Sequence, residues 1–124
     1  MRAEDVLIPD PKLRSAVLVE LGKSDGDDIT IAALTGLKRI VAPSAGIRSY
    51  EGMQHAINLE HIDLSGNDLV SISFPEAMPA LRTLNLSGNR DAYRYRGLRT
   101  LALPRAMPSL EALDLSRNLV RERE

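Results

Sequence analysis

The chain has 124 residues, a formal net charge of −1 and no cysteine, and only 3% of its residues are aromatic. This length suits one domain, and the lack of cysteine excludes disulfides, thiolate metal sites and a cysteine nucleophile. A nearly neutral chain has no global field that would attract nucleic acid or an acidic membrane, and no apolar run approaches the roughly 20 residues that span a bilayer.

The first third of the chain predicts two short helices. Asp10 can accept hydrogen bonds from free N–H groups, Pro11 suits the first helical position, and Gly22 suits a left-handed exit. Thr30 can cap a second short helix in the same way. We expect residues 1–36 to form a helical N-terminal cap that covers the open edge of the first strand.

From residue 37 onward one phrase recurs, with apolar residues at its first, fourth and sixth positions and asparagine at its ninth. Full copies begin at Leu59, Leu81 and Leu110, and a weaker copy begins at Leu37. This L-x-x-L-x-L-x-x-N pattern is the signature of a leucine-rich repeat. We therefore predict an α/β repeat solenoid over residues 37–124, with short parallel strands on the concave face and 3₁₀ or extended turn segments on the convex face.

The phrase has a direct physical interpretation. Its fourth and sixth residues point to one side of a short strand, and the residues between them face outward. The terminal asparagines can satisfy main-chain groups where the chain turns. Because one repeat cannot bury its apolar edge alone, neighbouring repeats must stack. An amphipathic helix is excluded because the apolar residues recur at intervals of two.

The convex segments contain four prolines, which oppose a long α-helix there; they are Pro75, Pro79, Pro104 and Pro108. The repeat starts are spaced by 22, 22 and then 29 residues. When the apolar positions that follow the asparagine are aligned between the second and third repeats, the additional residues of the third repeat fall at about 91–97. Insertions of this kind often carry binding residues.

This insertion is the first candidate for a partner-binding site. Its residues of interest are Arg90, Tyr93, Arg94, Tyr95 and Arg96. Residues 82–105 contain six arginines and one aspartate, which makes a patch of +5 in a nearly neutral chain. Tyrosine and arginine are favoured at protein interfaces, and they also stack on bases and neutralise phosphates. A solvated loop is the alternative of equal weight, and nucleic-acid binding is a distant third.

The concave face is the second candidate for a partner-binding site. Side chains between the apolar positions should stand in register on a concave parallel sheet, the surface that solenoids use for partners. The residues singled out there are Arg39, His61, Asp63, Thr83, Asn85 and Asp114. The aspartates and the asparagine are also common at these positions of the repeat for structural reasons, so Arg39 and His61 are the least generic of the set.

No catalytic, cofactor or metal site is expected. His61, Asp63 and Ser65 alternate along one strand and project side by side, which leaves nothing to orient the imidazole between a base and a nucleophile. The acidic cluster at residues 25–28 lacks the alternating ligands and the bidentate glutamate of a calcium loop, so it predicts a turn. We expect that the chain is not an enzyme.

Several runs in the cap resemble those of internalin-like bacterial leucine-rich-repeat proteins. They are Ile-Pro-Asp-Pro-Lys-Leu at residues 8–13, Leu-Gly-Lys at 21–23, Asp-Ile-Thr at 28–30 and Leu-Thr-Gly-Leu at 34–37. The resemblance extends through the cap and the repeats, and it implies a ligand-binding domain that is exported or held at the bacterial surface. The first five residues do not form a signal peptide, so a secreted protein would be a mature fragment.

These observations favour a protein-protein interaction module, with a glycan as the alternative ligand and a cytoplasmic location as the alternative to the cell surface. A structural class is the second hypothesis. The last phrase has no convex return, so Leu113, Leu115 and Val120 would expose apolar surface that a second copy could cover. Weak nucleic-acid binding through the Arg/Tyr insertion is the third, and no membrane insertion is expected.

Overall fold

A computed structural model of the protein describes residues 5–91 and 96–118. Its elements, in chain order, are α1 (Pro11–Leu21), α2 (Ile31–Thr35), β1 (Arg39–Val41), β2 (His61–Asp63), β3 (Ser71–Ser73), β4 (Thr83–Asn85), β5 (Arg90–Asp91), β6 (Arg96–Gly97), β7 (Thr100–Ala102) and β8 (Ala112–Asp114).

The strands of the repeated phrase form one parallel sheet, in the order β1–β2–β4–β8. Arg39 lies opposite His61, His61 opposite Thr83, and Thr83 opposite Ala112, so every phrase is in register with the next. The central residues of β1, β2 and β4 are buried, and the residues that flank them face outward or are half-buried. The predicted solenoid and its alternating strand pattern are confirmed.

Each repeat is joined to the preceding one by the asparagine that ends its phrase. The Oδ1 atom of Asn67 accepts hydrogen bonds from the N–H groups of Ala45 (2.9 Å) and Ile47 (3.0 Å). Its Nδ2 atom donates to the carbonyl oxygen of Ala42 (2.9 Å) and to carbonyl oxygens of its own turn. Asn89 repeats the arrangement one repeat later and is fully buried. The asparagine side chains therefore satisfy the turns, as predicted.

On the convex side of the second and third repeats the chain is extended. Strands β3 and β7 form a separate two-stranded parallel sheet, with Ile72 opposite Leu101. Within the described residues the convex side contains no 3₁₀ helix, so the extended form is the one adopted. The reason lies in the prolines, since Phe74 and Leu103 each precede one, and a residue before proline is driven out of the α region.

The additional residues of the third repeat lie between Asn89 and Leu98. Strands β5 and β6 pair in an antiparallel manner, with Asp91 opposite Arg96, and residues 92–95 lie outside the described ranges. Leu98 is fully buried and its N–H donates to the carbonyl oxygen of Asn89 (2.8 Å). The repeat therefore resumes its normal register at Leu98.

The two predicted helices of the cap are confirmed. The Oδ1 atom of Asp10 accepts hydrogen bonds from the N–H groups of Lys12 (2.9 Å) and Leu13 (3.2 Å) at the start of α1. Gly22 ends α1 with a left-handed φ of 69°, and Thr30 caps α2. Helix α1 packs against β1, where it covers the first strand. Within the described ranges, no helix is long and apolar enough to cross a bilayer.

Asp10 also ties the cap to the first repeat. Its second carboxylate oxygen, Oδ2, accepts hydrogen bonds from the N–H groups of Arg48 (2.6 Å) and Ser49 (3.0 Å). Burial alone would raise the pKa of Asp10, but the main-chain donors of Arg48, Leu13, Lys12 and Ser49 outweigh burial and leave the pKa below its ordinary value. The charged form of this side chain is therefore part of the folded state.

The last strand, β8, is exposed at every position. The side chain of Leu113 is 43% exposed, whereas Leu84, its partner one strand earlier, is buried. Leu115 is half-buried, and Val120 lies outside the described residues. The predicted apolar exposure at Leu113 is thus present.

We expect Asn67→Ala to lower the free energy of unfolding by about 3 kcal/mol or more, because the substitution removes the partners of several buried main-chain groups. Urea denaturation measures this change. Asn118→Ala is the matched control, since Asn118 makes comparable bonds in a partly exposed position where water can replace them. An equal loss in the two variants would contradict this explanation.

We expect Asp10→Asn to lower the free energy of unfolding by about 1–3 kcal/mol at neutral pH, because a cap and two inter-element bonds weaken. Since the pKa of Asp10 is lowered in the folded state, its contribution is complete above about pH 4 and disappears as pH falls through the folded value. The difference between wild type and variant should therefore be constant above about pH 5 and shrink as the pH falls below about 4. Asp25→Asn, in an exposed turn, controls for the change in charge; a pH-independent difference would disprove the assignment.

Candidate functional site

The concave sheet presents two rows of outward side chains, named here by their position in the phrase. The third-position row consists of Arg39, His61, Thr83 and Ala112, and the fifth-position row consists of Val41, Asp63, Asn85 and Asp114. All six concave residues singled out from the sequence stand in these rows. Register between repeats holds them side by side, at the spacing of about 4.8 Å between neighbouring strands.

The third-position row is only lightly constrained. The Nδ1 atom of His61 lies 2.8 Å from the Thr83 hydroxyl, and both side chains face the solvent side of the sheet. Arg39 is exposed, and its Nε atom lies 3.8 Å from a carboxylate oxygen of Glu20 in α1. The cap therefore contributes a carboxylate beside this row. Sequence reasoning missed Glu20, because nothing local to α1 shows that it meets Arg39.

The fifth-position row is partly occupied by the repeat itself. The Oδ1 atom of Asp63 accepts hydrogen bonds from the main-chain N–H (3.0 Å) and the hydroxyl (2.7 Å) of Ser65. Asn85 forms the same pair of bonds, 3.0 Å and 2.7 Å, with Ser87. Asp114 repeats the arrangement in the last strand. One oxygen of each side chain therefore closes a turn, and no other residue in the described part of the chain bonds to the second polar atom.

The outer end of this row favours negative charge. Hydrogen bonds from the hydroxyl and the N–H of Ser116 lower the pKa of Asp114, and the nearby Arg117 acts in the same direction. With Asp63 in the same row, two acidic residues flank the neutral amide of Asn85. This geometry suits hydrogen-bond donors and cations on a partner.

A second-position row, at the start of the strands, alternates in charge. It consists of Lys38, Glu60, Arg82 and Glu111, which follow one another along the main-chain ladder. The Nε atom of Arg82 lies 2.6 Å from a carboxylate oxygen of Glu111, and this contact raises the pKa of Arg82, with a smaller contribution from Glu60. The alternation is visible in the phrases, but sequence reasoning passed over it.

This row corrects part of the predicted basic patch. Arg82 had been counted toward the patch of +5, but Glu111 lies outside that window of sequence and neutralises it. Of the predicted insertion site, Tyr93, Arg94 and Tyr95 lie outside the described residues, as do the side chains of Arg90 and Arg96. Their role as partner-binding residues stays a prediction.

The polar groups do not form a catalytic triad. Ser65 donates its hydroxyl hydrogen to Asp63, while His61 pairs with Thr83 on the neighbouring strand. In the acidic cluster at residues 25–28, the Oδ2 atom of Asp27 accepts a hydrogen bond from the N–H of Ser24 (2.8 Å). That cluster is the predicted turn.

Comparison with known proteins agrees with this geometry. Residues 57–92 match the family described as leucine-rich repeats (2 copies). Internalin H of Listeria monocytogenes is 35% identical over 68 residues, a match that spans 54% of this chain and only 12% of that protein. The crystal structure of internalin C2, also from Listeria monocytogenes, superposes with a TM-score of 0.57 and 23% sequence identity, covering 98% of this chain and 72% of the other.

Solenoids of this kind are typically protein-interaction modules. The repeated phrase, the in-register ladder, the helical cap and these similarities together show a leucine-rich-repeat solenoid that resembles the internalins.

Proposed function

We propose that this chain is the ligand-binding repeat domain of a bacterial surface or secreted protein, and that it binds a protein partner across its concave face. The observation that carries the proposal is the pair of outward rows on a parallel ladder, where register fixes the spacing of the polar side chains. Extended concave surfaces of this kind are what repeat proteins use to contact partners.

The chemistry of the two rows indicates the kind of partner. Asp63 and Asp114 each have one carboxylate oxygen bonded to a serine, and within the described residues the second oxygen has no hydrogen-bond partner. One strand, β4, lies between them, and two inter-strand spacings place the carboxylates roughly 10 Å apart. Arginine or lysine side chains at that separation would pair with both, and His61 and Thr83 supply further hydrogen-bonding groups. We therefore propose a partner with a basic contact surface.

We also propose that the chain acts by binding and not by catalysis. In support of this, the polar groups that could resemble a triad are engaged in other contacts: Ser65 with Asp63, and His61 with Thr83. A hydroxyl that is bonded to a carboxylate with no imidazole between them is not activated as a nucleophile.

A bacterial surface or secreted location is part of the same proposal. Its support is the resemblance of the cap to internalin-like proteins and the similarity to internalin H and internalin C2. The insertion contributes to binding in this proposal because tyrosine and arginine are the residue types most often found at energetic hot spots of interfaces.

We expect the double variant Asp63→Asn with Asp114→Asn to bind the partner at least about tenfold more weakly, because two charged contacts lose their charge. The fold should be unaffected, since Asn85 shows that an asparagine in this row makes the same bonds to its serine. The partner is selected with the wild-type domain from a displayed library of extracellular proteins, and its affinity is measured by biolayer interferometry.

The matched control for this double variant is Glu76→Gln with Asp25→Asn, which removes the same charge from exposed positions outside the two rows. This control should bind like wild type. If both double variants lose affinity equally, the effect is one of net charge, and the concave face is not the binding surface.

We expect Tyr93→Ala with Tyr95→Ala to weaken binding of the same partner by about tenfold or more, as truncation of aromatic hot-spot residues does. The measurement is the same interferometry assay, accompanied by a thermal melt. Tyr50→Phe, a change at a buried tyrosine elsewhere in the chain, is the control. Unchanged affinity in the double variant would remove the insertion from the binding surface.

A further inference from the structure

A groove opens on the convex side, between the first repeat and strand β3. Its cavity volume is about 650 Å³, within the range of ligand-binding clefts. One wall is the turn at residues 49–54, and the other is the convex sheet, represented by Ser71, Ser73 and Thr100. The groove lies on the opposite side of the coil from the concave rows.

One edge of β3 faces this groove without a partner strand. Towards β7, the carbonyl oxygen of Val70 accepts a hydrogen bond from Thr100, and the N–H of Phe74 donates to Ala102 (3.0 Å). Main-chain groups alternate in direction along a parallel strand, so the N–H and C=O groups of Ser71 and Ser73 point away from β7. No residue in the described part of the chain hydrogen-bonds to these groups.

The cap explains why the first repeat does not pair with this edge. Asp10 holds the N–H groups of Arg48 and Ser49, which draws the start of the turn toward α1. Gly52 lies so close to the cap that a Cβ atom there would stand 2.5 Å from the carbonyl oxygen of Leu7. Its φ of +97° also favours glycine. The main chain of this turn therefore lies toward the cap, at the position where a strand beside β3 would otherwise pair.

The floor and rim of the groove also suit a bound chain. The rings of Tyr50 and Phe74 pack in a tilted arrangement, with centroids 5.1 Å apart, and form a buried apolar floor with Met53. The Tyr50 hydroxyl is buried and has no hydrogen-bond partner among the described residues. The outward side chains of β3 are two serines, small enough to let another main chain approach. Glu51 supplies a negative charge on the rim.

We propose that this groove binds an extended peptide segment that adds a strand to the free edge of β3. The occupant is a stretch of polypeptide in the β conformation, with small or β-branched residues and one lysine or arginine that pairs with Glu51. Its main chain would form four hydrogen bonds: it would accept from the N–H groups of Ser71 and Ser73 and donate to their C=O groups. Strand addition at a free sheet edge is a general mode of peptide recognition.

The geometry of the free edge favours a peptide as the occupant. The added strand continues the existing β3–β7 ladder, so the donors and acceptors are already at the spacing that a main chain requires. A three-residue edge inside a groove limits the contact to a short segment. This site is separate from the concave face, and its success or failure does not depend on the function proposed above.

The first test is hydrogen exchange in the free protein. Amide hydrogens of Ser71 and Ser73 should exchange much faster than those of Ile72 and Phe74, because only the latter pair is directed to β7. Equal protection of all four amides would show that the edge is already paired, and the proposal would be overturned.

The second test uses a blocked synthetic peptide, acetyl-Thr-Val-Lys-Val-Thr-amide, titrated into the isotope-labelled protein and followed by NMR. We expect the Ser71 and Ser73 amide resonances to shift and to gain protection from exchange. The same peptide N-methylated at its three central residues, which blocks both of its edges, should cause neither effect. Shifts confined to the concave strands, or no shift at millimolar peptide, would refute the proposal.

Variants localise the contact. Ser73→Pro removes the outward N–H, and proline is tolerated on an edge strand; it should raise the dissociation constant at least about tenfold. Ser73→Ala keeps the N–H and should bind like wild type. Retained protection of Ile72 shows that the ladder is intact in each variant. If Ser73→Pro does not fold, the N-methylated peptide provides the same test from the ligand side.

Glu51→Gln tests the charge on the rim. It should weaken binding of the lysine peptide and leave binding of a norleucine analogue unchanged. If the Ser71 and Ser73 resonances instead shift with protein concentration in the absence of peptide, the occupant is a second copy of this chain, and the peptide assignment is wrong.

Discussion

The buried side-chain amides of Asn67 and Asn89 are the contacts on which the coil depends. Each amide accepts from the main chain of the preceding repeat and donates both to that repeat and to its own turn. A turn that points its main-chain groups into an apolar core would otherwise leave them unsatisfied, at a cost of about 1–3 kcal/mol for each group. Because these bonds connect consecutive repeats, they also transmit the register of one strand to the next.

The cap does more than cover the end of the sheet. Asp10 begins α1 with one carboxylate oxygen and holds the first repeat with the other. The same attachment holds the main chain at Arg48 and Ser49, where the turn that forms one wall of the groove begins.

In the polar side chains of the concave face, some atoms close a turn of the repeat and others can contact a partner. In the fifth-position row, the serine two residues after each acidic or amide side chain bonds to its Oδ1 atom, and no other described residue bonds to the second polar atom. Asn85 occupies the position as well as Asp63 does, which shows that the turn requires the oxygen and not the charge. The charge at Asp63 and Asp114 is therefore not required to close the turn, and in the proposed function it pairs with the partner.

The sequence by itself determined the repeat register, the two capped helices and the residues of the concave rows. These features follow from spacing within a few residues and from side-chain chemistry that acts on the neighbouring main chain. Only the tertiary structure decided that Asp10 reaches Arg48, that Glu20 lies beside Arg39, that Glu111 neutralises Arg82 and that β3 has a free edge. These features depend on contacts between segments about 20 to 40 residues apart in the sequence. The packing of the coil, and not the local spacing of residues, determines such contacts.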